Sequence, residues 1–187
     1  LEAGTITISR AARQAQFPAR FQLIAAMNPC PCGYFGESSG RCRCTADQVS
    51  KYQNRLSGPF LDRIDMHVSV PQLSVALLLS QSTEKIESSE VVRARVIAAR
   101  EKQYARAHCV NAQLIGENVA LHCRVDQKDY RYLEEAMNKL GLSARAYHRI
   151  LKLSRTIADL DLENTECIAK KHLQEALSYR IKRSGFC

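Results

Sequence analysis

Four cysteines within fifteen residues constrain this chain more than any other feature: Cys30-Pro31-Cys32, nine residues, then Cys42-Arg43-Cys44. Two tight pairs joined by a flexible loop can close a tetrahedron of thiolates around zinc. The loop carries Gly33, Gly36 and Gly40 for the turns this requires, and Arg41 and Arg43 offset the negative charge of four thiolates. A one-residue spacer is tighter than the C-x-x-C usual at structural zinc, so unmetallated thiols stay open as the alternative. A metal held here is structural rather than catalytic. Cys109, Cys123, Cys167 and Cys187 are scattered and read as small buried apolar residues. Disulfide scaffolds are shorter, poorer in helix and secreted. The cysteine usage therefore points to a reducing cytoplasm.

The chain has 187 residues, of which 45% are hydrophobic and 25% charged. That is the composition of a globular protein with a real core, and it excludes collagen-like and wholly disordered chains. No apolar run reaches the roughly 20 residues of a membrane span, so no membrane partner is expected. The chain opens at Leu1, without Met, in residues that already alternate like a strand; a piece of a longer protein is expected. Net charge is +8, which suits a polyanionic partner and suits equally an acidic protein partner. Distribution is more telling, because between Gly4 and Gly36 stand Arg10, Arg13 and Arg20 and no acid.

Two parts follow along the chain, residues 1–80 and 81–187. In the first, Thr5–Ser9 alternates polar and apolar as a half-buried strand does. Phe21–Met27 reads as a strand buried on both faces, and Arg10–Arg20, with Pro18, as the tip of a long hairpin between the two. Asp47–Leu56 reads as a short helix ended by Gly58, Pro59 as the first turn of another, and Met66–Val70 as a third strand. The second part reads as four helices. They are Ser89 to about Cys109, long and basic; one capped by Asp126 with Tyr130, Leu133, Met137 and Leu140 in its stripe; one capped by Ser143; and one capped by Thr165.

No Gly-x-x-x-x-Gly-Lys-Ser/Thr loop is present, so the chain alone cannot cradle a triphosphate and is expected to be inactive by itself. Two short polar constellations stand out. Asn28 ends the apolar run at the edge where parallel sheets hold ligands, and Arg63 sits at the end of the Gly58-Pro59 helix. Spacing alone favours plainer roles, Asn28 as a turn residue before Pro29 and Arg63 as an ion-pair partner of Asp62 or Asp65. The five histidines stand singly, each as a surface or satisfied core residue.

The runs "AAMNPCPCGYFG", "CRC", "RLSGPFLDRIDMHVSVP" and "SARAYHRILKLSRTIADL" occur here in that order. In this the chain resembles the Mg-chelatase-related AAA+ ATPases, the YifB/ComM family in particular, over nearly its whole length. The resemblance implies a fold class: an α/β remnant of an AAA+ P-loop core, with the last strands of the parallel sheet and a pre-sensor-1 hairpin, followed by an all-α helical lid bundle. It implies that residues 1–80 are the end of the core and 81–187 the lid, with the Walker motifs that bind ATP and Mg upstream.

The same resemblance implies roles. Asn28 is sensor 1, Arg63 an arginine finger acting on the neighbouring subunit's ATP, and Arg145 sensor 2, with Arg149 and Arg155 ranked below it. The metal loop of Cys30, Cys32, Cys42 and Cys44 is read from its spacing and not from the resemblance. Arg10, Arg13 and Arg20 face DNA on the hairpin, a solvated hairpin being the plain alternative, and the face of Arg93, Arg100 and Arg106 has a weaker claim. The whole protein is then expected to be a homo-oligomer, a hexameric ring, working as a DNA translocase or helicase in recombination or natural transformation. A chelatase-type motor that remodels a partner enzyme is the alternative. Magnesium-chelatase subunits lack the four cysteines, so these are not required for ATP hydrolysis.

Overall fold

The structure, a computed structural model, describes residues 4–10, 13–37, 40–71, 87–161 and 166–180. The chain divides into two compact units on either side of the Arg63–Ile64 bond.

The first unit begins with an antiparallel hairpin of β1 (Thr5–Arg10) and β2 (Arg13–Pro18). Their register pairs Ile6 with Phe17, Ile8 with Ala15 and Arg10 with Arg13. Directly opposed residues share a face, so one face is apolar along its length and ends in two arginines. The second arm of the hairpin is thus Arg13–Pro18 and not the apolar run that follows. Phe21–Met27, expected as a buried strand, runs outside any sheet with Ile24 85% exposed. Met66–Val70, which belongs to the second unit, behaves alike, with Val70 86% exposed. An apolar run marks a segment able to pair, but the ladder needs a neighbour. Among the described residues only β1 and β2 supply one another with it.

After the cysteine loop come α1 (Ala46–Gln53) and α2 (Gly58–Leu61). Thr45 caps α1 through a reciprocal box, its hydroxyl accepting from Gln48 N while Gln48 Oε1 accepts from Thr45 N. Gly58 does not end α1, as expected; α1 stops at Gln53, and Gly58 opens α2 behind the Ser57 cap. Pro59 tolerates that place because the first helical N–H groups lack partners anyway. Cys30 and Val49 are the buried hydrophobic residues of this unit among those described.

The second unit is a helical bundle: α3 (Ser89–Ala107), a 3-10 turn (Asn111–Gln113), α4 (Glu117–His122), α5 (Gln127–Leu140), α6 (Ala144–Leu160) and α7 (Lys170–Ser178). Ser88, Asp126 and Ser143 cap their helices through backbone N–H groups two or three residues on. Gly141 closes α5 at φ 59°, a left-handed conformation that glycine adopts without penalty. α6 is the hub, packing on α3, the 3-10 turn, α4 and α7. Ile150 and Leu151 from α6 meet Leu133, Ile168, Leu173, Ala176 and Leu177 in the core. The buried stripe of α5 centres on Leu133, whereas Tyr130 and Leu140 of the expected stripe are exposed. A two-residue parallel bridge, Val125 with Ile168, ties α5's start to α7's.

α7 begins later than the sequence suggested. Its cap is Ala169, whose N–H donates to His172 Nδ1 at 3.1 Å, while His172 Nε2 lies 3.2 Å from Asp161 Oδ2. Thr165, the expected cap, lies outside the described residues. No helix among the described residues is long and apolar enough to cross a membrane.

Candidate metal centre and polar site residues

Cys30 follows Pro29 directly and is buried, and Cys32 turns back on it through the Gly33 N–H to Cys30 carbonyl bond of 3.1 Å. Gly33 holds φ at 86°, open to glycine at little cost. Cys42 and Cys44 return along the strand-like approach to α1. The Sγ atoms of Cys30, Cys32, Cys42 and Cys44 all lie within 4.8 Å of one another. Three of the separations are 3.3, 3.6 and 3.9 Å. Zn–S bonds near 2.3 Å in a tetrahedron place sulfurs about 3.8 Å apart, so the four thiols fit a zinc-sized cation.

The electrostatics of the cluster point the same way. The backbone N–H groups of Tyr34 and Arg43 donate to the Cys32 sulfur and hold its pKa down at about 6. For Cys44 the Cys32 N–H favours the thiolate, but the Cys32 thiol, burial and the charge of Cys30 push it up to about 12. Cys42 is also raised; burial and the thiols of Cys32 and Cys30 overcome the N–H of Cys44. One negative charge forms readily here and each further one is resisted. A divalent cation removes that resistance. Arg41 closes the rim of the loop, its guanidinium 4.6 Å from the Tyr34 ring centroid and 2.9 Å from Glu37 Oε2.

Asn28 is exposed and makes no hydrogen bond among the described residues, so its amide presents both a donor and an acceptor. The Gly33 turn passes near it: a Cβ there would stand 3.9 Å from Asn28 Cγ and Nδ2. Gln53 Nε2 donates to the Pro29 carbonyl at 3.0 Å, pinning the next peptide to the end of α1. Arg63 follows α2, and its Nη1 donates to the Pro59 carbonyl at 2.8 Å.

In the second unit Arg145 occupies the first turn of α6, exposed, just after the Ser143 cap. Arg149, one turn on, forms an ion pair with Asp65, and Arg155 is buried against Asp159. Asp65, weighed in the sequence as a partner for Arg63, thus has Arg149 as a partner.

The hairpin gathers two of its three arginines. Arg10 and Arg13 are exposed and directly opposed at the tip, with no ion pair among the described residues. Arg20 lies at the other end, where its Cγ and Nε run 3.3 Å from the place a Cβ on Gly4 would take. Arg106, grouped in the sequence with the basic face of α3, turns inward to Asp159 instead.

Two family models match the chain, "Magnesium chelatase, subunit ChlI" over residues 1–78 and "Magnesium chelatase, subunit ChlI C-terminal" over residues 86–180. The chain belongs to the magnesium chelatase ChlI family. Within it, this ChlI-family chain is 48% identical to the uncharacterized protein YifB of Salmonella typhimurium and 50% identical to the competence protein ComM of Haemophilus influenzae. Each match runs over 180 residues, 96% of this chain and 35% or 34% of the relative. A mycobacterial protein, Mb2921c of Mycobacterium bovis, is 36% identical over 164 residues, 86% of this chain and 32% of that protein. The ChlI-family chain therefore spans about a third of the length of the curated relatives it matches.

Proposed function

We propose that this chain is the sensor and lid portion of an oligomeric AAA+ ATPase that moves along DNA. Membership of the ChlI family supports an ATP- and magnesium-dependent parent, with the triphosphate gripped elsewhere in the whole protein. In that reading Asn28 holds the γ-phosphate or the attacking water. Arg145 adds its charge to the dipole of a helix N-terminus, where phosphate is favoured. Arg63 reaches the ATP of the next subunit in a ring, six subunits being the arrangement we infer, in the cytoplasm. The competence name of the Haemophilus relative favours DNA as the track.

One observation carries the DNA reading: two unpaired arginines directly opposed at the tip of a hairpin with no acid. Like charges so placed repel, and a phosphate between them turns the repulsion into a clamp. Contacts of this kind ignore base sequence and respond to salt. In the full-length protein, Arg10→Ala with Arg13→Ala should weaken single-stranded DNA binding and flatten the log–log salt dependence by roughly 1.4, two contacts at about 0.7 each. Arg20→Ala should change the slope by less. An unaltered slope in the double variant would remove the hairpin from the DNA path.

The family description itself favours a second reading, a chelatase-type motor that remodels a partner enzyme. ATP turnover stimulated by single-stranded DNA supports translocation; turnover indifferent to DNA and raised by a protein partner supports remodelling.

The cysteine loop is read as a structural zinc site. Elemental analysis of purified protein should give close to one zinc per chain, abolished by Cys30→Ser. Metal-free protein whose loop stays ordered would refute it.

A further inference from the structure

We propose that the four-cysteine centre is a positioning device for the Asn28 amide, so that a zinc-type cation bound by Cys30, Cys32, Cys42 and Cys44 sets where that amide points. The inference rests on the reading of Asn28 as a nucleotide-facing residue and goes beyond it, by giving the metal loop a task in the same site.

The argument is one of connectivity and proximity. Asn28, Pro29 and Cys30 are consecutive, so an anchor on Cys30 acts on Asn28 through a single rigid residue. Cys30 is buried, and its carbonyl accepts the Gly33 N–H, which folds the loop back toward the start of the segment. That fold turns Gly33 toward the Asn28 side-chain amide, so that a Cβ added at Gly33 would lie 3.9 Å from its Cγ and Nδ2. The loop therefore bears on Asn28 along the chain, and its Gly33 turn passes close by the amide. On the far side, Cys44 leads straight into the Thr45 cap of α1, and Gln53 of α1 returns a hydrogen bond to the Pro29 carbonyl.

Cysteines, helix and the Asn28–Pro29 segment thus form a closed circuit. Its other supports are slight, since the preceding Phe21–Met27 segment is exposed and outside any sheet. An exposed amide with no hydrogen bond of its own has nothing else to hold it at a working angle. Catalytic groups need placement to within about 0.5 Å, and a coordination bond supplies such rigidity where a hydrophobic core is absent.

The test separates this inference from the functional reading beneath it. In protein labelled with ¹⁵N at asparagine, the Asn28 side-chain NH₂ pair, assigned by its loss in Asn28→Ala, should shift and broaden when zinc is chelated and recover when zinc is restored. An NH₂ pair unmoved by metal removal overturns the inference, whatever Asn28 does in catalysis. In the full-length protein, chelation or Cys42→Ser should lower kcat severalfold without abolishing turnover, since hydrolysis itself does not require the cysteines, with a smaller change in the KM for ATP. Against Asn28→Ala, Cys42→Ser should cost little further. Fully multiplicative losses in the double variant would also overturn the inference, because they would show the metal acting through something other than Asn28. If Asn28→Ala turns over ATP normally while the Asn28 amide of the unmutated protein still follows zinc, the functional reading fails and the coupling stands.

Discussion

Arg63→Ala in the full-length protein is expected to lower ATP turnover by about 10³–10⁵-fold, the range associated with an arginine finger, while ATP binding stays within a few-fold of normal. The residue is launched from a short but well-made platform. Ser57 Oγ accepts from Phe60 N, Pro59 locks the first turn, and the Arg63 N–H bonds to the Phe60 carbonyl. Its guanidinium donates to the Pro59 carbonyl, a neutral acceptor, and a triphosphate carrying developing charge accepts more strongly than a carbonyl does. Arg63→Lys keeps the charge and loses the planar fork, so it should recover only part of the rate. On the proposed reading, in which Arg63 acts on a neighbour's nucleotide, mixing Arg63→Ala subunits with subunits that keep Arg63 but cannot hold ATP should restore turnover. Wild-type kcat in Arg63→Ala would end the assignment.

Asp159→Ala is expected to destabilise the helical unit by about 3–5 kcal/mol, the cost of stranding buried charge. The Asp159 side chain is 0% exposed and Arg155 3%. Oδ1 accepts from Arg106 Nη1 at 2.8 Å and Arg155 Nε at 3.1 Å, and Oδ2 from Arg106 Nη2 at 2.7 Å and Asn111 Nδ2 at 2.8 Å. Asn111 in turn is held by Thr156 and Gln103, and Arg155 Nη1 reaches the Glu166 carbonyl. The network fastens α3, the 3-10 turn and α6 together; the buried residues of α3 are Ala99 and Gln103, with Ala107 half-buried against the core. Removing the carboxylate leaves two guanidiniums facing each other. Urea unfolding measures the effect, and a loss under about 1 kcal/mol would make the network a bystander.

The same carboxylate gives the unit an acid limit. Burial raises its pKa, but the hydrogen bonds from Arg106 and Asn111 outweigh burial and hold it below the ordinary carboxylate range. A lowered pKa in the folded state means that the stabilisation is complete above the unfolded value, about 3.9. It is lost as pH falls toward the folded value. Asp159→Asn should flatten the fall in stability below about pH 4.

What the sequence made legible was local. The caps at Asp126 and Ser143 and the stop at Gly141 declare themselves within four residues, and those helix ends lie where the pattern put them. The cysteine loop was legible because its ligands are close in sequence. Segments that depend on distant partners were not. Phe21–Met27 and Met66–Val70 have strand composition, and no composition says whether a neighbour is there to pair. The network around Asp159 was missed because Arg106 and Asn111 lie 53 and 48 residues from Asp159 in the chain. A signal did exist: Arg155 and Asp159 fall four residues apart on the same side of α6 as Leu151 and Ala158, where lone charges do not belong. The approach of Gly33 to Asn28 had no such signal, since it depends on how tightly the loop folds.

The two halves of this chain keep their order by different means, one by a sulfur cluster with little oil around it, the other by a packed interior crossed by salt links. Heating should accordingly produce two melting events rather than one, the first moving with chelator and the second with acid. A preparation stored in a strong chelator would then pass for folded by its helical circular dichroism while having lost the half that carries Asn28.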